Sequence, residues 1–244
     1  MLLAVDIGNT NIDFALINKT GAISRRLSIS TDRFQLTRLN RVGWNKVKVE
    51  KILIVSVVPK TLGKVKAYLK KKFKGIKIIV VGRDLKAPLK CAYNKKEIGQ
   101  DRLVTAFAAQ SLYGLPILII DFGTAVTFDV VSKKGVYLGG LILPGIKMSL
   151  ESLSERTAML PKTYLKKTST FIGKNTAASI RNGMIYGYSS ICEGLMGLFK
   201  KKIGKNLKVV ATGGDASLIS KYSPHMKKIN PDLSLKGLYF LSRM

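Results

Sequence analysis

Leu2-Leu3-Ala4-Val5-Asp6-Ile7-Gly8-Asn9-Thr10 is an apolar run that ends at one acid, one glycine and one hydroxyl. A second stretch, Ile117-Leu118-Ile119-Ile120-Asp121-Phe122-Gly123-Thr124, repeats that form half a chain later. Short apolar runs bounded by turn residues read as buried strands. After each comes another apolar or alternating stretch, Ile12 to Ile17 in the first copy and Val126 to Val131 in the second. A glycine follows, Gly21 or Gly135, so each copy reads as strand, tight turn, strand, turn, strand. Self-similarity at this distance predicts two lobes related by duplication.

Strand and helix signals alternate in both halves. Lys51 to Val58 and Ile76 to Val81 read as strands, and Thr61 to Phe73 and Arg102 to Tyr113 as helices. In the second half, Ser149 to Ala158 has helical spacing, and Asn175 to Lys202 forms a long helix with Asn175 or Thr176 as its N-cap. Leu207 to Ala211 is a strand that Thr212-Gly213-Gly214-Asp215 turns into a further helix. Alternation of this kind predicts an α/β fold with mixed sheets. The lobe boundary is expected near Gly114 to Pro116, giving lobes 1–114 and 115–244.

Composition narrows the class. Hydrophobic residues make up 46% and charged residues 23%, the balance of a chain that buries a core. No apolar run approaches membrane-spanning length, the N-terminus does not read as a signal peptide, and two cysteines need no disulfide framework. A cytoplasmic protein is expected. Lysine and arginine total 42 against 14 acids, a net charge of +28. Such a surface holds nucleic acid, attracts anionic small substrates, or is a solvated Lys-rich face. No helix-turn-helix, zinc finger or aromatic-basic stacking pattern appears, so specific nucleic-acid binding is not expected. With so few acids, Asp6, Asp101, Asp121, Asp129 and Asp215, all beside glycines or at the edges of apolar runs, suggest bound cations.

The first hairpin is a candidate phosphate cradle, since a turn that points N–H groups outward receives phosphate oxygens. Gly8 permits close approach, Asn9 and Thr10 add donors, and Asp6 is placed to hold Mg²⁺ directly or through water. The phosphate segment is taken as Asp6, Ile7, Gly8, Asn9, Thr10, Asn11, Ile12 and Asp13, although Asp13 by itself carries no firm role and a structural one is equally open. No Walker A sequence and no Gly-x-Gly-x-x-Gly after a strand occurs. Two Asp-x-Gly hairpins and the late Ala211-Thr212-Gly213-Gly214-Asp215 turn are similar to the phosphate-1, phosphate-2 and adenosine elements of the actin, hexokinase and Hsp70 superfamily. That likeness implies two actin-like ATPase (ribonuclease H-like) lobes around a nucleotide cleft, with Gly123 and Thr124 at phosphate and Gly213 and Gly214 at the base.

A closer resemblance rests on an ordered set of segments. Asp6-Ile7-Gly8-Asn9-Thr10-Asn11, Val55-Ser56-Val57-Val58-Pro59, Gly99-Gln100-Asp101-Arg102 and Asp121-Phe122-Gly123-Thr124-Ala125 belong to it. So do Tyr137-Leu138-Gly139-Gly140 with Pro144-Gly145, Thr157-Ala158-Met159-Leu160-Pro161, Asn175-Thr176 with Ser179, and Asp232-Leu233-Ser234-Leu235-Lys236-Gly237-Leu238. Together they resemble the type III pantothenate kinases over nearly the whole chain. The resemblance implies ATP-dependent phosphorylation of pantothenate to 4'-phosphopantothenate, the opening step toward coenzyme A. It further implies a homodimer, Mg²⁺ with ATP, and a monovalent cation, K⁺ or NH₄⁺. It assigns Asp101 as proton acceptor, and Gly99, Gln100, Arg102 and Tyr93 to the pantothenate site. Thr176 reaches that substrate too, in this reading from the neighbouring subunit. Asp121 holds the monovalent cation and Thr124 contacts ATP. Two departures stand out: Gln100 where a small or apolar residue is usual, and Ala125-Val126 in place of Ala-Thr.

The chemistry is consistent from below. Phosphoryl transfer passes through a loose transition state, so positioning and charge neutralisation outweigh a strong base. An Asp of ordinary acidity orients the hydroxyl and accepts its proton as the new bond forms. Asp101 beside Arg102 is expected to stay ionised. Two alternatives stand beside this reading: a nucleic-acid-binding transcriptional accessory factor and, because the superfamily motifs mark ATP and not the acceptor, a same-fold kinase for another small hydroxyl substrate.

Overall fold

The computed structural model describes residues 1–32, 47–94 and 97–244. Two compact units divide the chain: Met1–Ser111 with Asp232–Met244, and Leu112–Pro231. This corrects the expected lobe of 115–244, because the last thirteen residues pack with the first unit and not the second.

In the first unit, β1 (Leu2–Ile7) pairs antiparallel with β2 (Asn11–Ile17), and β2 with β3 (Ile23–Ser30). On its other side β1 pairs parallel with β4 (Lys51–Ser56), and β4 with β5 (Ile78–Val80), giving the order β3-β2-β1-β4-β5. Helix α1 (Pro59–Lys72) follows β4 and a two-residue strand, β6 (Lys90–Cys91), precedes α2 (Gln100–Tyr113). The alternation of strand residues fixes which side chains face which helix. Leu3, Val5, Ile7, Ile12, Phe14 and Leu16 form one buried cluster with Val65 and Leu69 of α1. Leu2, Ala4, Ala15 and Ile17 pack on the opposite face with Val104 of α2 and with Leu235, Leu238 and Leu241 from the chain's last helix. Full burial of each Leu or Ile stabilises by about 1.5–3 kcal/mol, which is why both faces of β1 read as one continuous apolar run.

The second unit repeats the plan. β7 (Ile117–Phe122) pairs antiparallel with β8 (Ala125–Val131), β8 with β9 (Val136–Pro144), and β7 parallel with β10 (Lys208–Gly213). Helices α3 (Ile146–Glu155), α4 (Thr176–Ile203) and α5 (Ala216–Ile219) follow, and α6 (Leu233–Ser242) closes the chain in the first unit. Leu118, Ile120, Phe122, Val126, Phe128 and Val130 pack with Tyr188, Cys192 and Met196 of α4.

The duplication extends to single hydrogen bonds. Register shifts fall at Leu16/Ile17 and at Val130/Val131, equivalent points of the second strand in each unit. At the β2–β3 turn, Asn18 N–H donates to Ala22 O and Gly21 N–H to Asn18 O; at the β8–β9 turn, Ser132 N–H donates to Val136 O and Gly135 N–H to Ser132 O. Gly21 and Gly135 take φ of 86° and 71°, which glycine adopts without a Cβ penalty. The Asn18 and Ser132 side chains accept from the amides of Ala22 and Val136, at 3.0 and 3.2 Å.

Element ends move by a few residues from the sequence expectation. Pro59 takes the first helical position of α1, so that helix starts two residues before Thr61. Gly145 is the N-cap of α3, which runs Ile146–Glu155 rather than 149–158. Asn175 caps α4 as expected, its Oδ1 accepting from Ala178 N–H at 2.9 Å. Among the described residues no helix is long and apolar enough to cross a membrane.

Candidate functional site

In the first unit, period-two alternation puts Asp6 on the Leu2–Ala4 face of β1, the face that α2 and α6 cover. The two helices approach most closely where a Cβ added to Gly237 would sit 2.5 Å from the carbonyl oxygen of Val104. Gly237 lies three residues into α6 from Ser234, and Val104 three residues into α2 from Asp101. A crossing one turn from each helix start therefore brings both starts to the end of β1 that carries Asp6. Asp13 joins them because it stands opposite Asp6 in the β1–β2 register.

Electrostatics follow from this convergence. Burial pushes the Asp6 carboxyl from the ordinary carboxylate range up to about 7; a hydrogen bond with the Ser234 side chain works against that rise, as does the Arg26 guanidinium, while Asp101 and Asp13 add to it. Arg26 on β3 bridges two acids, with Nη2 3.1 Å from Asp13 Oδ1 and Nη1 2.5 Å from Asp232 Oδ1. Asp232 is the residue before α6. Asp13, assigned from sequence to the phosphate segment, thus has its carboxylate bound to Arg26.

The turn between β1 and β2 is held from within. Gly8 N–H donates to Asn11 O at 2.9 Å, Thr31 N–H to Thr10 O at 2.8 Å, and the Thr31 hydroxyl to Gly8 O at 2.8 Å. Asn9 at its tip is exposed. At the start of α2, Asp101 Oδ1 accepts from Arg102 N–H at 2.8 Å and lies where a Cβ on Gly99 would come within 2.4 Å. A glycine at 99 is therefore what lets the Asp101 carboxylate fold back over its own helix start. Gln100 packs against Gly82, whose φ is 91° and whose added Cβ would meet the Gln100 side chain at 2.5 Å. The Gln100 departure is thus accommodated by a second glycine in the same unit. Tyr93 lies two residues beyond β6, its carbonyl accepting from Cys91 Sγ at 3.5 Å.

In the second unit, glycines ring Asp121. Gly213 takes φ of 90°, and a Cβ there would lie 2.5 Å from Phe122 O and 2.6 Å from Asp121 Oδ1. The carboxylate of Asp121 and the carbonyl of Phe122 therefore both stand against one bare backbone position. Gly123 N–H donates to Ala125 O at 3.1 Å, and Gly145 lies so close that its Cβ would meet Thr124 O at 2.0 Å and Gly123 O at 2.8 Å. Gly214 is open, with nothing within 4 Å of an added Cβ. Burial raises the Asp215 carboxyl, which follows this turn. Thr176 opens α4 and is exposed.

Sequence reasoning thus anticipated acids and glycines that the fold gathers: Asp6, Asp13 and Asp101 in one unit, and Asp121, Gly123, Thr124 and Gly213 in the other. It missed Arg26, Asp232, Ser234 and Thr31 as participants. Asp232 and Ser234 stood in a motif without a role, and Arg26 and Thr31 carried no signal. Asp129 accepts from the buried Tyr137 hydroxyl and from Thr127 Oγ1 at 3.0 Å. His225 is bound to Glu193, Nδ1 to Oε2 at 2.6 Å, and Ser223 donates to the same carboxylate, so the pair does not form a nucleophile and base.

Among the described residues no group of three or more His, Cys, Asp or Glu is gathered to hold a metal ion. The residues do fit Mg²⁺ bound through one carboxylate and a polyphosphate, because Asp6 has two like-charged neighbours and a cation relieves them. The Asp121 carboxylate and Phe122 carbonyl are oxygen donors of the kind that suit a hard cation.

Comparison with known proteins agrees with this architecture. The family model described as type III pantothenate kinase matches residues 2–197. A protein of Campylobacter jejuni assigned to the Baf family of transcriptional activators superposes with TM-score 0.60 at 22% identity, covering 99% of this chain and 97% of that one. A Sinorhizobium meliloti protein assigned as a 2-dehydro-3-deoxygalactonokinase gives 0.58 at 14% identity, covering 100% and 98%. The activator of the 2-hydroxyisocaproyl-CoA dehydratase from Clostridium difficile, solved with ADPNP, gives 0.53 at 12% identity, covering 99% and 94%. These likenesses establish the actin-like ATPase fold of the sugar kinases.

Proposed function

The chain belongs to the type III pantothenate kinase family, and from that premise we propose that it transfers the γ-phosphoryl group of ATP to the primary hydroxyl of pantothenate. The observation that carries the reading is the meeting of Asp6, Asp13 and Asp101 at the end of β1 in a protein of net charge +28.

Asp101 orients the pantothenate hydroxyl and takes its proton as the phosphorus–oxygen bond forms. Gly99, Gln100, Arg102 and Tyr93 line the acceptor site, with Arg102 the partner for the pantothenate carboxylate. The turn Ile7–Ile12 and the turn at Gly123 and Thr124 each take phosphate oxygens, and Gly213 and Gly214 admit the base. Asp6 holds Mg²⁺, directly or through water, and Asp121 holds K⁺ or NH₄⁺; these ions neutralise phosphate charge.

A homodimer is supported by α4. Its exposed positions from 183 to 198 carry no charge in a Lys-rich protein, and include Gly183, Gly187, Ile191, Gly194, Gly197 and Leu198. Ile191 and Leu198 are 41% and 63% exposed, and nothing lies within 4 Å of a Cβ added to any of those four glycines. Residues at this spacing form one stripe, and a small, apolar stripe lets another helix pack closely. In this reading Thr176, at the start of the same helix, serves the partner's pantothenate.

The test is ADP release from Mg-ATP with pantothenate and K⁺ varied in turn. Turnover requires both. Asp101→Asn lowers kcat at least 100-fold while an ATP analogue still binds. Turnover with a different hydroxyl substrate and none with pantothenate would keep the fold and discard the assigned acceptor.

A further inference from the structure

The two units solve one problem, how to hold a phosphate turn in shape, with different residues at one equivalent position. In the first unit Asn11 stands opposite Ser30, so Thr31 is the first residue after β3. In the second, Ala125 stands opposite Pro144, so Gly145 is the first residue after β9. Both positions touch the carbonyls of the turn between the first two strands. Gly145 does so by bare backbone contact with Gly123 O and Thr124 O. Thr31 does so by two hydrogen bonds, its amide to Thr10 O and its hydroxyl to Gly8 O, each 2.8 Å.

Those bonds decide which edge of the turn is offered outward. A peptide's carbonyl and amide point in opposite directions, so a turn whose carbonyls are tied to the protein is biased to present its amides. Gly8, Thr10 and Asn11 all have their carbonyl oxygens bonded within the unit, two of them to Thr31. Without that hydroxyl, Gly8 O is freed to rotate outward, and a carbonyl oxygen facing phosphate repels it.

We propose that Thr31 is a positioning residue for the phosphate turn, its hydroxyl and amide together fixing the Gly8–Asn11 backbone for phosphate oxygens. The inference rests on the reading of that turn as a nucleotide site. Thr31 touches the turn's carbonyls and no substrate is assigned to it, so its effect falls on phosphate binding and not on the acceptor.

The experiment compares Thr31→Val, which keeps the shape and removes the donor, with Thr31→Ser, which keeps the donor. Binding of AMP-PNP with Mg²⁺ is measured by calorimetry and adenosine binding by competition, with KM values and the melting temperature alongside. Thr31→Val weakens AMP-PNP about fivefold to tenfold, the scale of one well-formed hydrogen bond, and raises the KM for ATP. It leaves adenosine, the KM for pantothenate and the melting temperature unchanged, and Thr31→Ser matches the parent. A merely structural role would weaken adenosine and AMP-PNP together and lower the melting temperature, and that pattern overturns the proposal. Equal AMP-PNP binding by Thr31→Val and the parent overturns it too, while leaving the nucleotide site intact. No AMP-PNP binding by the parent overturns the nucleotide reading itself.

Discussion

Replacing Asp6 by asparagine should stabilise the metal-free protein, although it destroys a residue assigned to the active site. The folded protein holds the Asp6 carboxyl at about 7 against a reference of 3.8, chiefly through burial. Between these values the folded state binds a proton that the unfolded chain has lost, so stability falls as pH rises from about 4 to 7 and is level above. The difference of about three pK units corresponds to about 4 kcal/mol of folding free energy withheld at pH 8. Asparagine removes the ionisation and keeps the size, and it retains a partner for Ser234. Thermal melts in EDTA should therefore separate Asp6→Asn from the parent by on the order of 10 °C at pH 8, with the gap closing as pH falls toward 4. Mg²⁺ with a nucleotide analogue should narrow the gap from the other side, by raising the parent alone. A gap independent of pH, or an Asp6→Asn protein less stable at every pH, would refute the assignment of the cost to a desolvated, crowded carboxylate.

Two further outcomes test the scaffold. Gly237→Ala pushes α6 off α2, since its Cβ would lie 2.5 Å from Val104 O; a loss of about 1–3 kcal/mol is expected, with kcat falling because Ser234 and Asp101 separate. Leu198→Glu places a charge on the exposed, uncharged stripe of α4; on the proposed homodimer, light scattering should give a dimer for the parent and a monomer for the variant, and a dimer unchanged by the substitution would remove α4 from the proposed interface.

What was legible in the sequence is what short-range rules control. The Leu2–Ile7 and Ile117–Phe122 strands are apolar because both faces are buried, and the run announces itself. Asn175 was readable as an N-cap because its side chain bonds three residues ahead. Asp6, Asp101 and Asp121 stood out because acids are scarce. Arg26 and Ser234 were not legible, because their roles depend on contacts 206 positions apart between Arg26 and Asp232 and on the return of α6 to the first unit. Nothing local to the tail says which unit it joins; Leu235, Leu238 and Leu241 pack into the first unit, and Gly237 allows the close approach to Val104. Thr31 was hidden for another reason. Its partners are backbone carbonyls, which every residue has, so only the fold shows that they are aimed at it.

Two acids, Asp129 buried and Asp6 half-buried, are held in different ways. Asp129 is only 3% exposed, yet the Tyr137 hydroxyl and Thr127 Oγ1 both bond to it, and it lies within a strand with its donors nearby on β8 and β9. A carboxylate satisfied in that way stabilises its surroundings. Asp6 is treated differently. Its neighbours include two more acids, and the nearest guanidinium, that of Arg26, is engaged with Asp13 and Asp232. Asp6, Asp13, Asp101 and Asp232 thus gather at one end of one sheet, with Arg26 bound to two of them. Local arrangements that lower stability persist where the site has work that needs them, and a desolvated carboxylate with two acidic neighbours beside this turn is suited to receive a cation that arrives with the nucleotide.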